Sequence, residues 1–98
     1  MRVRFSVFAR RELDDAVAWY EGQVVGLGME FLDELDRAVR RIAAYPDSGG
    51  ELGVGLRRCL LARFPYCLIY GQDDKTIVVV AVAHLHRRPR YWRGRIVK

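Results

Sequence analysis

Seven consecutive apolar residues, Ile77 to Ala83 (IVVVAVA), constrain this chain more than any other stretch. The run is short, rich in Val, and follows the turn-like Gln72-Asp73-Asp74-Lys75. A buried helix segment is the competing reading, but the length and the β-branched content favour a strand. With no polar alternation, such a strand is covered on both faces and belongs in the interior of a sheet. The character then reverses abruptly. His84, His86, Arg87, Arg88, Arg90, Tyr91, Trp92, Arg93 and Arg95 follow with no acid among them. A buried strand ending in cations, imidazoles and aromatic rings suits an anionic or extended partner. The competing reading, a solvated C-terminal tail, fits poorly with Tyr91 and Trp92, which are unusual choices for a segment that touches nothing.

The rest of the chain supplies what this strand packs against. From Met1 to Phe8 the residues alternate, with Val3, Phe5 and Val7 on one side and Arg2, Arg4 and Ser6 on the other, until Phe8 breaks the pattern and leads into a helix. This predicts a half-buried strand. From Ala9 the period changes: Ala9, Leu13, Ala16, Val17 and Tyr20 mark one face of a helix, which fades around Gly22. Gly22 to Gly26 reads as the bend of a helical hairpin. A second helix is expected from Leu27 to Tyr45 on the stripe Phe31, Leu35, Ala38, Val39 and Ile42, and Pro46 ends it. Its acids come early and its arginines late, as the helix dipole favours, with Asp33–Arg37 and Asp36–Arg40 as favourable pairs. Asp47 to Gly55 reads as an exposed, glycine-rich loop.

Leu56 to Ala62 is the second predicted strand, with Leu56, Arg58 and Leu60 on one face and Arg57, Cys59 and Leu61 on the other. Phe64-Pro65 reads as a tight reversal into a third strand, Tyr66 to Tyr70, which would set residue 62 near 67 and 59 near 70. Cys59 and Cys67 are then not cross-strand neighbours, which argues against a disulfide. The expected architecture is α+β: an N-terminal strand, a helical hairpin, then a three-stranded antiparallel meander (β-α-α-β-β-β), with the helices on one face. The segment after His84 is expected to cover part of the sheet edge. Tyr66 and Tyr70 share a face with Leu68 and read as core.

The 98 residues suit a single domain, residues 1–98, and 51% hydrophobic content supports a core of modest size. No run is long enough to cross a membrane as a helix, and MRVRFSVFARR lacks the apolar centre of a signal peptide. Neither cysteine has His or Cys partners at metal-ligand spacing, so no metal or cofactor is expected and both thiols read as reduced and cytoplasmic. The net charge of +5 conceals a division. Ala9 to Asp47 carries five Arg against nine acids; the remainder carries twelve Lys or Arg against three. The basic part therefore calls for a polyanion or an acidic protein segment as partner.

Taken in order, these residues resemble the RelE/ParE superfamily of toxins from type II toxin–antitoxin systems, the group often called plasmid stabilisation proteins. The resemblance rests on Phe8-Ala9 leading into Glu12-Leu13, Ala16 and Trp19-Tyr20, and on Gly26-Leu27-Gly28 before Phe31-Leu32 and Leu35. It continues through Tyr45-Pro46, Leu56-Arg57-Arg58, Arg63-Phe64-Pro65-Tyr66, Ile69-Tyr70, Val82-Ala83-His84, Arg87-Arg88-Pro89 and Tyr91-Trp92. It implies growth inhibition, a cognate antitoxin and a toxin–antitoxin hetero-oligomer.

The superfamily divides by target. RelE-like members cut messenger RNA on the ribosome, with a 2′-hydroxyl attacking the neighbouring phosphate. That chemistry needs a base, an acid and cations for the phosphorane charge. By resemblance the comparable groups are Arg57, Arg58, Arg63, His84, His86, Arg87 and Tyr91, of which His84, Arg87 and Tyr91 would be catalytic. The set holds no lysine, unlike typical ribonucleases of the group. ParE-like members bind DNA gyrase and need no catalytic residues; Arg57, Arg58, Arg63, His86, Arg88, Arg90, Trp92 and Arg93 would then be binding surface. The missing lysines favour the gyrase reading. Plainer readings remain: His84 as a hydrogen-bonded core histidine, His86 as solvated, Arg57 or Arg58 paired with Glu12 or Asp15, Arg63 as an exposed hairpin end, and the whole chain as a basic interaction domain without toxicity.

Overall fold

The computed structural model describes residues 1–97. In chain order it contains β1 (Arg2–Phe5), α1 (Val7–Gln23), α2 (Leu27–Ala44), β2 (Gly50–Gly53), β3 (Leu56–Leu60), β4 (Tyr66–Asp73) and β5 (Thr76–His84). The strands form one sheet in the order β1-β5-β4-β3-β2. The α+β class stands, but the four-strand β-α-α-β-β-β description is corrected: the sheet has five strands and is mixed, because β1 pairs parallel to β5.

The first strand is shorter than the alternation suggests. Ser6 stops it by accepting the Ala9 N–H on its side chain at 3.2 Å, as a helix N-cap does, so Val7 begins α1 instead of extending β1, and Phe8 lies in the helix as expected. The helices then meet through a carboxylate. Glu21, near the end of α1, accepts the N–H of Gly26 at 2.9 Å and of Gly28 at 3.0 Å. These belong to the start of α2, where the cap residue Gly26 sits at φ 91 and offers no side-chain acceptor. Gly28 is required by close approach, since a Cβ there would meet the Val17 carbonyl at 2.9 Å. Glu21→Ala should therefore cost about 1–2 kcal/mol, read as a lower urea midpoint, with Glu21→Gln milder because one amide oxygen remains to accept.

The expected glycine-rich loop contains β2. Gly50 faces Arg58 and Glu51 faces Arg57, and Val54-Gly55 closes the hairpin with φ 50 and 76. Two positive φ values in a two-residue turn match the right-handed strand twist. Arg57 fastens the short strand, donating to the Asp47 and Gly49 carbonyls at 3.0 and 2.8 Å and to Glu51 at 3.2 Å. Glycine content hid a strand that one arginine holds.

The β3–β4 register differs by two residues from the expected one: Leu60 faces Cys67 and Arg57 faces Tyr70. Residues 61–65 make a wider connection than a tight reversal, with Leu61 and Phe64 buried in the core. A shift of two leaves every side chain on its face. Cys59 faces Leu68, and both cysteines are free.

Both faces of β5 are covered. Leu13, Ala16 and Tyr20 of α1 and Phe31, Leu35, Ala38 and Ile42 of α2 pack with Leu68, Tyr70, Ile77, Val79 and Val82. On the opposite face Trp92 packs with Leu56, Cys67, Ile69, Val78, Val80, Ala81 and Ala83. A bulge between Ile69 and Tyr70 on β4's register sets Val80 and Ala81 on the same face, which resets the alternation before Val82. The C-terminal segment thus lies across the second face of the sheet, and its Arg95 also covers part of the β5 edge, as expected. Without it, the apolar pattern of β5 would leave that face open to water.

Candidate functional site

β1 departs from β5 at Ser6, whose N–H donates to the Val79 carbonyl at 2.9 Å. The continuing edge of β5 is closed by side chains instead. The Val82 N–H donates to Glu12 Oε1 at 3.0 Å, and Arg95 Nη1 donates to the Val80 carbonyl at 2.8 Å. Arg95 also grips Glu12, with Nη1 to Oε1 at 2.8 Å and Nη2 to Oε2 at 3.2 Å. Tyr91 donates its hydroxyl to Oε2 at 2.6 Å, and Arg87 reaches the same oxygen at 3.3 Å. The Arg87 guanidinium lies 3.9 Å from the Tyr91 ring centroid, and that of Arg95 lies 5.1 Å away. One carboxylate of α1 therefore holds three side chains of the C-terminal segment. Burial raises the Tyr91 pKa, and the hydrogen bond it donates to Glu12 raises it further.

His84 ends β5. Its ring packs edge-on against Tyr66 and His86, and its Nδ1 accepts the backbone N–H of His86 at 3.0 Å. With Nδ1 occupied as acceptor, the neutral ring carries its proton on Nε2. The side chain is half-buried, between the core and surface readings.

A shallow pocket of about 260 Å³ lies between β3 and the C-terminal segment, lined in part by Arg58, His84, Arg87, Arg88, Arg90 and Tyr91. With Trp92, seven of the candidate residues thus converge. Trp92 contributes only an edge, being 6% exposed, so its role is to cover the sheet. Arg57 and Arg63 stand apart. Arg57 is committed to the β2 clamp, not to Glu12 or Asp15, and Arg63 pairs with Glu30 on α2 at 2.9 Å. His86 and Arg93 are exposed beside the pocket. Tyr70 is core, its hydroxyl donating to the Pro46 carbonyl at 2.8 Å, and Tyr66 joins the aromatic cluster with Tyr20 and Phe31. Burial pushes the Cys67 thiol up to about 11, so it stays protonated and unreactive near neutral pH.

Glu12 is the residue that reading the chain missed as a centre. A signal was present: it falls between Ala9 and Ala16 at helical spacing, an acid inside the buried stripe. Glu34 repeats the pattern between Phe31 and Ala38, is 5% exposed, and accepts the Ala62 N–H at 3.1 Å. It also takes Arg37, at 2.8 Å, in place of the expected Asp33 pair; the Asp36–Arg40 pair forms as expected at 2.8 Å.

The sequence model of a family described as "ParE toxin of type II toxin-antitoxin system, parDE" matches residues 3–89. The chain belongs to the ParE toxin family. Its fold also matches a chain of the solved "Chromosomal ParDE TA system from P. aeruginosa", with a TM-score of 0.74 at 16% identity, covering 88% of this chain and 97% of that one. At that identity the likeness shows the fold alone. No curated protein matches the sequence. The ParE match ends at Pro89, so Tyr91 and Arg95, which fasten the C-terminal segment to Glu12, lie beyond it. No helix of this ParE-family chain is long and apolar enough to cross a membrane among the described residues.

Proposed function

We propose that this chain is a growth-inhibiting toxin of the cytoplasm, a single domain that acts by binding DNA gyrase and is neutralised by a cognate antitoxin in a hetero-oligomer. The observation that carries the reading is the state of the three groups a ribonuclease would use. Tyr91 already donates to Glu12, and its raised pKa keeps it protonated at neutral pH. His84 has its Nδ1 occupied, leaving a proton donor and no free base nitrogen. Arg87 is paired with Glu12, whose negative charge would oppose charge growing on a phosphorane beside it. None of the three supplies the base that 2′-hydroxyl attack requires. A non-catalytic binder needs none, and the exposed His86, Arg88, Arg90 and Arg93 suit a binding surface.

Two arms test this. Expressed alone, the chain should arrest growth, and a neighbouring short reading frame of antitoxin type should relieve the arrest when co-expressed. In arrested cells, gyrase–DNA cleavage complexes should accumulate while messenger RNA ends stay at control levels. Tyr91→Phe should retain activity within a few fold, because it removes a structural hydrogen bond. A catalytic tyrosine would instead lose ~10²–10⁴. Phased RNA cuts with unaffected gyrase, lost in Tyr91→Phe, would overturn the reading in favour of a ribosome-dependent ribonuclease.

A further inference from the structure

The arginines of this chain fall into two groups. Arg10, Arg37, Arg40, Arg57, Arg63, Arg87 and Arg95 each meet an acid. Among the described residues the other eight meet none, and three of those eight, Arg58, Arg88 and Arg90, line the pocket beside His84. No Asp or Glu lines that pocket. Arg90 is held at φ 58, an uncommon conformation for a side-chain-bearing residue, by the Arg93 N–H on its carbonyl at 3.0 Å and by its own Nη2 on the Leu52 carbonyl at 3.3 Å. A backbone constrained in this way fixes where its guanidinium emerges.

Three guanidinium groups that meet no acid, gathered in one concavity whose lining holds no acid, mark a place for an external anion. We propose that this pocket binds the phosphate backbone of duplex DNA directly; the choice of duplex DNA rests on the gyrase reading, since gyrase works on that polymer. Two features of the pocket favour backbone contact. Its rings offer no stacking platform: Tyr91 already carries Arg87, and Trp92 is buried. Single-strand binders depend on such platforms, whereas duplex binding rests first on cations against phosphates. Its floor is closed, with Cys67 at 4%, Ile69 at 1% and Trp92 at 6% exposure; the open apolar surface is at the rim, chiefly Leu85 at 45%, so a peptide could bury side chains only there while phosphates reach the guanidinium groups without burying any. The toxin would then hold the nucleic acid as well as the enzyme in one assembly.

The test uses the purified full chain without gyrase. A short fluorescein-labelled duplex of arbitrary sequence is titrated by anisotropy over a salt series. Binding should weaken steeply with salt, and Arg58→Ala and Arg88→Ala should each lower affinity about tenfold at about 0.1 M salt and flatten the log–log slope by about one. Arg11→Ala, which removes an exposed charge on α1, should change affinity less than about twofold. Absence of binding at low salt, an equal loss in Arg11→Ala, or tighter binding of single-stranded RNA or of an acidic peptide would overturn the proposal. Gyrase inhibition measured in parallel separates the two readings: an inhibitor that ignores free duplex removes the present proposal alone, and a duplex binder without effect on gyrase removes the gyrase reading alone.

Discussion

Val80→Asp should abolish folding. Val80 is fully buried, lies on an interior strand, and sits at the bulge where its carbonyl is already taken by Arg95. A carboxylate there would sit in the apolar cluster of Leu56, Ile69, Val78, Ala81 and Trp92. Burial of an unpaired charge costs more than the whole stability of a small domain, or forces the group to stay protonated at a cost of several kcal/mol. The expected product is insoluble, or soluble without a cooperative urea transition. Val80→Ala serves as control. It removes two methyl groups from the same place and should cost roughly 2 kcal/mol while leaving a cooperative transition at lower urea. A cooperatively folding Val80→Asp chain would show that the strand is not buried on this face.

Glu12→Ala should be the most damaging change outside the apolar core. It leaves the Val82 N–H, the Tyr91 hydroxyl and the Arg95 guanidinium without their shared acceptor. Glu12 is 13% and Arg95 18% exposed as side chains, so this pair is only weakly screened, whereas Arg87 at 55% contributes little. Removing one partner of such a pair costs about 3 kcal/mol. The loss should also be local first: amides of Tyr91 to Val97 should exchange with solvent faster than those of β4. Glu12→Gln, which keeps one acceptor, should fall between. Glu12→Ala and Arg95→Ala together should cost much less than the two separate losses added, because they break one contact. An additive double variant, or unchanged exchange in the C-terminal segment, would show that the carboxylate does not anchor it.

What could be read from the chain was whatever a local period encodes. The apolar run of β5, the stripes of both helices and the faces of β3 all followed from spacing, and so did the core character of Tyr70. What could not be read depended on partners distant in sequence. β2 has almost no strand-forming content and is held by Arg57, which binds two carbonyls just before it and the Glu51 carboxylate within it. The parallel pairing of β1 leaves no local trace, since strand direction is a property of the assembled sheet. The candidate site was legible as a cluster of types but not as a set of roles. Spacing gave no sign that Arg87 and Tyr91 both meet Glu12, nor that Trp92 packs against the second face of the sheet. Spacing on α1 put Glu12 among buried residues, yet nothing local says that an arginine 83 positions later will meet it.

That separation bears on when the molecule can exist at all. The interior strand β5 is made after both helices and the other four strands, yet it is the partner of β1, which precedes them all. The helical hairpin is local and can form early, but the sheet it covers cannot close until β5 has left the ribosome, and the last fastening waits for Arg95. Pairings of such long range carry a large loop-closure cost and slow the approach to the native state. A nascent chain that stops short of Thr76 has neither β5 nor the C-terminal segment. For this ParE-family chain, the sheet cannot assemble before β5 has been translated.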